Sequence, residues 1–141
     1  MGSSAYIKLV KDSRVQQISL EDVKNKMTHY IEMTQKTGQQ LDWGYANAAF
    51  PYTLIEKPEA QGKWFYLKGN DPKLYKYIMF GVGTEMQENE ELQYYIQVSL
   101  PEGSTHGDKG KANEFCKYLA KEFQGELHLF NNRVMYYYPR K

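Results

Sequence analysis

The residues best placed to do chemistry lie between Gly103 and Lys111. The stretch Gly103-Ser104-Thr105-His106-Gly107-Asp108-Lys109-Gly110-Lys111 sets two hydroxyls, a histidine, an aspartate and two lysines ahead of an apolar-striped helix. Backbone N–H groups at a helix start attract anions, so Ser104, Thr105, Lys109 and Lys111 are candidates for binding a ligand or anion. His106 and Asp108 are the candidates for a general base and its orienter, or for part of a metal site. Spacing limits both ideas. The phosphate-loop pattern fails at Gly103 and at Gly107. No HxxxH, HExxH or CxxC occurs, and His29, His106 and His128 are far apart, so no metal and no cofactor is expected. Thr105 to Asp108 also spells a capping box, in which Asp108 only satisfies a backbone donor. A structural loop is the favoured reading.

Two other nucleophile readings are weaker. Cys116 sits in the stripe Ala112, Phe115, Cys116, Leu119, Ala120, Phe123, where a thiol packs as a small hydrophobe and lacks the exposure and cation that lower its pKa. No Gly-x-Ser-x-Gly elbow exists. Lys109, Lys111, Lys117 and Lys121 form a basic edge diluted by Glu114 and Glu122, as on a solvated helix face.

The elements that position these groups centre on Lys76 to Leu100. Tyr77 to Val82 and Leu92 to Leu100 read as strands around an acidic, turn-like segment, Gly83 to Glu91. Successive strand side chains point to opposite faces, so Tyr94, Ile96, Val98 and Leu100 pack inward while Tyr95, Gln97 and Ser99 point away. Tyr77-Ile78-Met79-Phe80-Gly81-Val82 has no polar face, as a strand covered on both sides would. If Val134 and Tyr136 also point inward, Met135 and Tyr137 join Tyr95 on the far face, with Tyr77 and Met79 beside them. An aromatic and methionine patch of that kind marks a binding or oligomer surface. The alternative is that Leu41 to Pro51, or the edge hairpin, folds over it.

Elsewhere, Ala5 to Val10 reads as a first strand and Val15 to Ile18 as a short second one. Ser19 and Asp22 form a capping box for a helix carrying Leu20, Val23, Met27, Tyr30 and Ile31, with Gly38 as its stop. Tyr52 to Glu56 and Lys63 to Lys68 read as strands, separated by turns at Lys57–Gly62 and Gly69–Pro72, so four strands in series form an antiparallel meander. After the second helix, ended by Gly125, Glu126 to Phe130 and Arg133 to Tyr138 flank Asn131-Asn132 as a two-residue hairpin.

Composition excludes several classes. The chain has 141 residues, Lys+Arg 18 against Asp+Glu 17, and a net charge of +1, which gives no global pull toward nucleic acid or an anionic membrane. Aromatics are in excess, with 13 Tyr, 6 Phe and 2 Trp, and strands favour them. One cysteine forms no intrachain disulfide, and no apolar run approaches the roughly 20 residues of a membrane span. A reduced, cytoplasmic protein is the default.

Leu100-Pro101, Thr105-His106-Gly107-Asp108, Glu126 to Asn131 and Arg133 to Tyr137 together resemble a small single-domain family, a domain of unknown function, from spore-forming Gram-positive bacteria. The resemblance spans nearly the whole chain. It implies a bacterial cytoplasmic protein with a two-layer α+β fold and implies no activity, ligand or catalytic residue.

The expected fold is one α+β domain over residues 1–141: a mainly antiparallel sheet of six or seven strands with two principal helices on one face. The expected function is that of a small non-catalytic binding or regulatory protein using the aromatic face of Tyr77, Tyr95, Met135 and Tyr137. Its partner would be an unidentified protein, a small molecule or a second copy in a homodimer. An enzyme with a site in the Gly103–Lys111 loop is the alternative. Single-strand RNA binding ranks last, because stacking platforms work in basic surroundings and this chain is neutral.

Overall fold

The computed structural model describes residues 3–41, 51–56, 64–71, 73–88 and 90–138, with residues 35–41 described by backbone alone. Seven strands form one sheet: β1 (Ser3–Lys8), β2 (Tyr52–Ile55), β3 (Trp64–Gly69), β4 (Tyr77–Met86), β5 (Leu92–Leu100), β6 (Glu126–His128) and β7 (Val134–Tyr136). Two helices, α1 (Leu20–Leu41) and α2 (His106–Phe123), are present among the described residues. The strand order is β2-β3-β4-β5-β1-β6-β7, and every pairing is antiparallel. The fold is therefore α+β. β2 to β5 form the expected meander, and β1 inserts between β5 and β6.

Register assigns the two faces. Val98 pairs with Ala5 on one side and Phe80 on the other, and Phe80 pairs with Phe65. Residues directly opposite share a face. Ala5, Ile7, Phe65, Leu67, Ile78, Phe80, Ile96, Val98 and Leu127 thus lie together, all fully buried. Phe65 and Phe80 stack at 5.1 Å with planes 4° apart. From α2, Ala112, Phe115, Cys116, Leu119 and Ala120 close this core, and Val23 and Met27 of α1 join it. The helices meet through Tyr30 against Phe115 and Tyr118, and the Tyr118 hydroxyl donates to the Lys26 carbonyl at 3.1 Å.

Both capping boxes form. The Ser19 N–H donates to Asp22, and the Asp22 N–H donates to the Ser19 hydroxyl at 3.1 Å. Four local expectations are corrected. α1 continues through Gly38 to Leu41, because a glycine inside a helix costs only about 1 kcal/mol and does not compel a stop. Val15 to Ile18 is not a strand. Its connection is a loop that Gln16 closes, donating to the carbonyls of Val10, Lys11 and Ser13. β4 runs on through Gly83 to Met86, so the acidic turn shrinks to the residues around Gln87–Glu91, where the Gln87 N–H donates to the Glu91 carbonyl. The β6–β7 hairpin has three loop residues, Phe130 to Asn132, with only Asn132 at positive φ (68°).

α2 ends on Gln124, which takes the left-handed conformation at φ 54°. Gly125 is required for a different reason: a Cβ there would stand 2.7 Å from Cγ2 of Ile7. No helix among the described residues is long and apolar enough to cross a membrane.

Candidate functional site

The Gly103–Lys111 stretch is mostly helix. α2 begins at His106, and Thr105 caps it with extended backbone (φ −87°, ψ 168°). The Thr105 hydroxyl accepts from the Asp108 N–H at 3.0 Å and donates to the Leu74 carbonyl at 2.6 Å. Asp108 is fully buried, whereas His106 is exposed. Two positions on a helix are about 200° apart around its axis, so the pair diverges and cannot form a base and its orienter.

Asp108 is occupied structurally. Its carboxylate accepts the Tyr52 hydroxyl at 2.5 Å, the Lys76 N–H at 3.0 and 3.1 Å, and the Thr105 N–H at 3.1 Å. Burial, and then the hydrogen bond to Asp108, push the Tyr52 hydroxyl far above the ordinary tyrosine range. The anion that this helix start attracts is thus the chain's own carboxylate. Ser104 bonds back to the Pro101 carbonyl at 2.6 Å, Lys109 is exposed, and Lys111 pairs with Glu114 at 3.1 Å. These four do not converge on a common point. Among the described residues, no group of three or more His, Cys, Asp or Glu stands where it could hold a metal ion. Cys116 is fully buried, and burial raises its thiol pKa to about 12.

The sheet face away from the helices is different. It carries Tyr6 and Lys8 of β1, Trp64 and Tyr66 of β3, Tyr77, Met79, Gly81, Gly83 and Glu85 of β4, and Tyr95, Gln97 and Ser99 of β5. None of these side chains is fully buried. Three depressions adjoin one another along β4. Trp64, Tyr66, Tyr77, Met79 and Pro101 line the first, of about 230 Å³. Trp64 and Met79 separate it from the second, also about 230 Å³, which runs over Gly81 and Gly83 to Tyr95, Gln97 and Ser99. Tyr95 in turn separates that from the third, of about 290 Å³, bounded by Tyr6, Lys8, Thr84 and Glu85.

Glycine shapes this surface. Gly83 pairs with Tyr95, and a Cβ on Gly83 would lie 2.5 Å from Cζ and the hydroxyl of Tyr95. The tyrosine ring therefore lies over the bare strand, where Tyr6 meets it edge-on at 5.6 Å. Gln97 donates to the Ser4 and Ser99 hydroxyls, each at 3.2 Å, and fixes its amide beside the ring.

A model of the family described as a domain of unknown function (DUF1885) matches residues 3–139. The chain belongs to the DUF1885 family. A crystal structure described as a protein of unknown function from Bacillus stearothermophilus, a spore-forming Gram-positive, is 46% identical to it. That match covers 85% of this chain and 89% of the other, with a TM-score of 0.56, so the fold is shared. A search among curated proteins finds no match.

For this DUF1885 chain, the four-residue interaction face read from parity is rearranged. Tyr77 and Tyr95 do share the far face. Met135 and Tyr137 do not: Met135 pairs with Leu127, which is buried, so β7 turns Met135 and Tyr137 toward the core and leaves Val134 and Tyr136 outside. A strand's faces flip with a one-residue change of register, and the three-residue loop made that change. Met79 was read beside Tyr77 and Gln97 on the outward side of its strand, whereas Trp64 and the two glycines were missed as parts of the candidate face. Glycines inside a strand signal close approach of another group, and Gly81 and Gly83 carried that signal. The proposed cover from Leu41 to Pro51 falls largely on residues 42–50, outside the described residues.

Proposed function

We propose that this chain is a small, cytoplasmic, non-catalytic binding or regulatory protein that engages its partner through the β1–β3–β4–β5 face centred on Tyr95. The observation that carries this is the row of three adjoining depressions along β4, each with ring walls and with charged side chains, Lys8 and Glu85, only at the third. Exposed aromatic and methionine surface of this kind is favoured at binding sites. An enzyme built on His106 and Asp108 draws no support, since one is exposed and the other is consumed by capping. Nucleic acid fits poorly as well. The one lysine lining the row, Lys8, lies 4.0 Å from Glu85, and stacking platforms need a basic surround.

A second copy of the chain is one occupant this face could take, because a single patch can satisfy itself about a two-fold axis. An NMR screen with small ring-bearing fragments tests the site itself. Shifts should concentrate at the Trp64 indole and at the amides of Gly81, Gly83 and Tyr95. Shifts confined to α2 or to the Gly103–Lys111 stretch would refute the assignment. Sedimentation of the wild type beside Tyr95→Glu reads the second copy: a dimer that the substitution dissociates identifies it.

A further inference from the structure

Resting on the binding face just proposed, we infer that its ligand is an extended, proline-rich peptide segment. The first argument is shape. The row follows β4 from Tyr77 to Glu85, eight residue steps, or about 27 Å of strand. At about 3.1 Å per residue, a polyproline II segment of roughly nine residues spans it. Each depression is smaller than the roughly 300–1,000 Å³ that encloses a drug-sized ligand. Rings stand between successive depressions, as they do where a linear chain drops one or two small groups into each.

The second argument is hydrogen-bond chemistry. The indole N–H of Trp64 and the hydroxyls of Tyr6, Tyr77 and Tyr95 make no hydrogen bond among the described residues. Gln97 has spent its N–H donors on Ser4 and Ser99. The groove therefore offers aromatic surface plus several uncommitted donors. The tyrosine hydroxyls accept as well as donate, but the Trp64 indole only donates, so an apolar chain that brings carbonyl acceptors fits it. Proline-rich segments meet that description, because each proline lacks an N–H and its carbonyl stays unpaired in polyproline II. Aromatic-lined grooves read such segments because they arrive preformed, with little ordering entropy to lose. The third depression adds the Lys8–Glu85 pair, which would read a charged residue at one end of the segment.

The test titrates the whole protein with capped decaproline and, in parallel, selects binders from a display library of random short peptides. A capped Gly/Ser peptide of equal length and a neutral oligosaccharide serve as controls. The expected result is enrichment of spaced prolines, with decaproline shifting the Trp64 indole and the β4 amides while both controls leave them still. Trp64→Phe keeps a ring and removes the donor. It should weaken binding about fivefold, the loss of one hydrogen bond. Tyr95→Glu supplies a second variant, which should abolish the shifts. Binders without proline, an oligosaccharide that shifts the same resonances while decaproline does not, or occupation of the face by a second copy would overturn the peptide inference and leave the face intact as a site. If no probe shifts these resonances and fragments also avoid them, the inference and the binding face fail together.

Discussion

Replacing Asp108 should damage stability more than any other polar substitution in the described structure. Its carboxylate is the fully buried acceptor of three donors: the Tyr52 hydroxyl, the Lys76 N–H and the Thr105 N–H. These reach from β2, from the loop before β4 and from the α2 cap, so one side chain ties three segments. Asp108→Ala strands all three donors. Hydrogen bonds to a charged group contribute roughly 1.5–3 kcal/mol each, and an unsatisfied buried donor costs roughly 1–3 kcal/mol. Water entering the space left by the carboxylate recovers part of this, so about 4 kcal/mol is expected. That is a large share of the roughly 5–15 kcal/mol available to a domain. Asp108→Asn keeps one acceptor oxygen and turns an NH₂ toward an N–H, and should cost about 2 kcal/mol. Tyr52→Phe leaves the carboxylate with its two backbone donors and should cost about 1 kcal/mol. Urea unfolding with linear extrapolation measures each value. A double-mutant cycle on Tyr52 and Asp108 should show coupling of about 1 kcal/mol. A loss below about 1 kcal/mol for Asp108→Ala would refute the reasoning and reopen Asp108 as a residue kept for chemistry.

Three further outcomes are expected. Cys116 should resist thiol reagents in the native protein and react only as fast as the chain opens, and Cys116→Ser should destabilise by roughly 1–3 kcal/mol. Stability should hold up to about pH 9 and fall above it: the Cys116 thiol titrates near 9.0 when unfolded and near 12 when buried, so the unfolded chain loses its proton first. The loss per group is about 1.4 kcal/mol per pH unit, Tyr52 adds to it above pH 10, and Cys116→Ala should flatten the earlier part of the decline seen in urea midpoints. Gly83→Ala should swing the Tyr95 ring off β4 and away from Tyr6 and move the Tyr6 ring resonances, while the lost ring contact, about 1 kcal/mol, is largely offset by the better strand preference of alanine.

What could be read from the chain were features set by neighbours in sequence. Alternation along Leu92 to Leu100 assigned both faces of β5, and Ser19–Asp22 and Thr105–Asp108 marked both helix starts. The stripe from Ala112 to Phe123 placed Cys116 in the core. What could not be read were features set by distant partners. β1 enters the sheet between β5 and β6, and nothing local to Ser3–Lys8 specifies those neighbours. The parity of β7 depends on its pairing with β6, which a loop one residue longer inverted. Asp108 offered a capping signal, but its bonds to Tyr52 and Lys76 cross 56 and 32 residues. Gly83 to Met86 looked like a turn because glycine and glutamate are poor strand formers. Eight paired positions between β4 and β5 outweigh that preference.

The glycines of β4 are where local preference and structure disagree most. A strand with neighbours on both sides ordinarily favours β-branched and aromatic residues, and glycine in a strand interior costs roughly 0.5–1 kcal/mol relative to alanine. Gly81 and Gly83 sit in the longest strand of the sheet, opposite Trp64 and Tyr95. On the helix-covered side of the same strand, Ile78 and Phe80 follow the ordinary rule and are fully buried. The departure is therefore confined to one face, and it coincides with the middle depression. Larger side chains at these two positions would fill that depression, and one at Gly83 would lift the Tyr95 ring. They would also remove the surface along which a ligand could lie. Core packing gives no reason for two glycines there, since neither points into the core. Positions where a sequence departs from its own local rules tend to be functional or strained, and both glycines lack the positive φ that would signal strain. The face they floor is the one proposed above for binding.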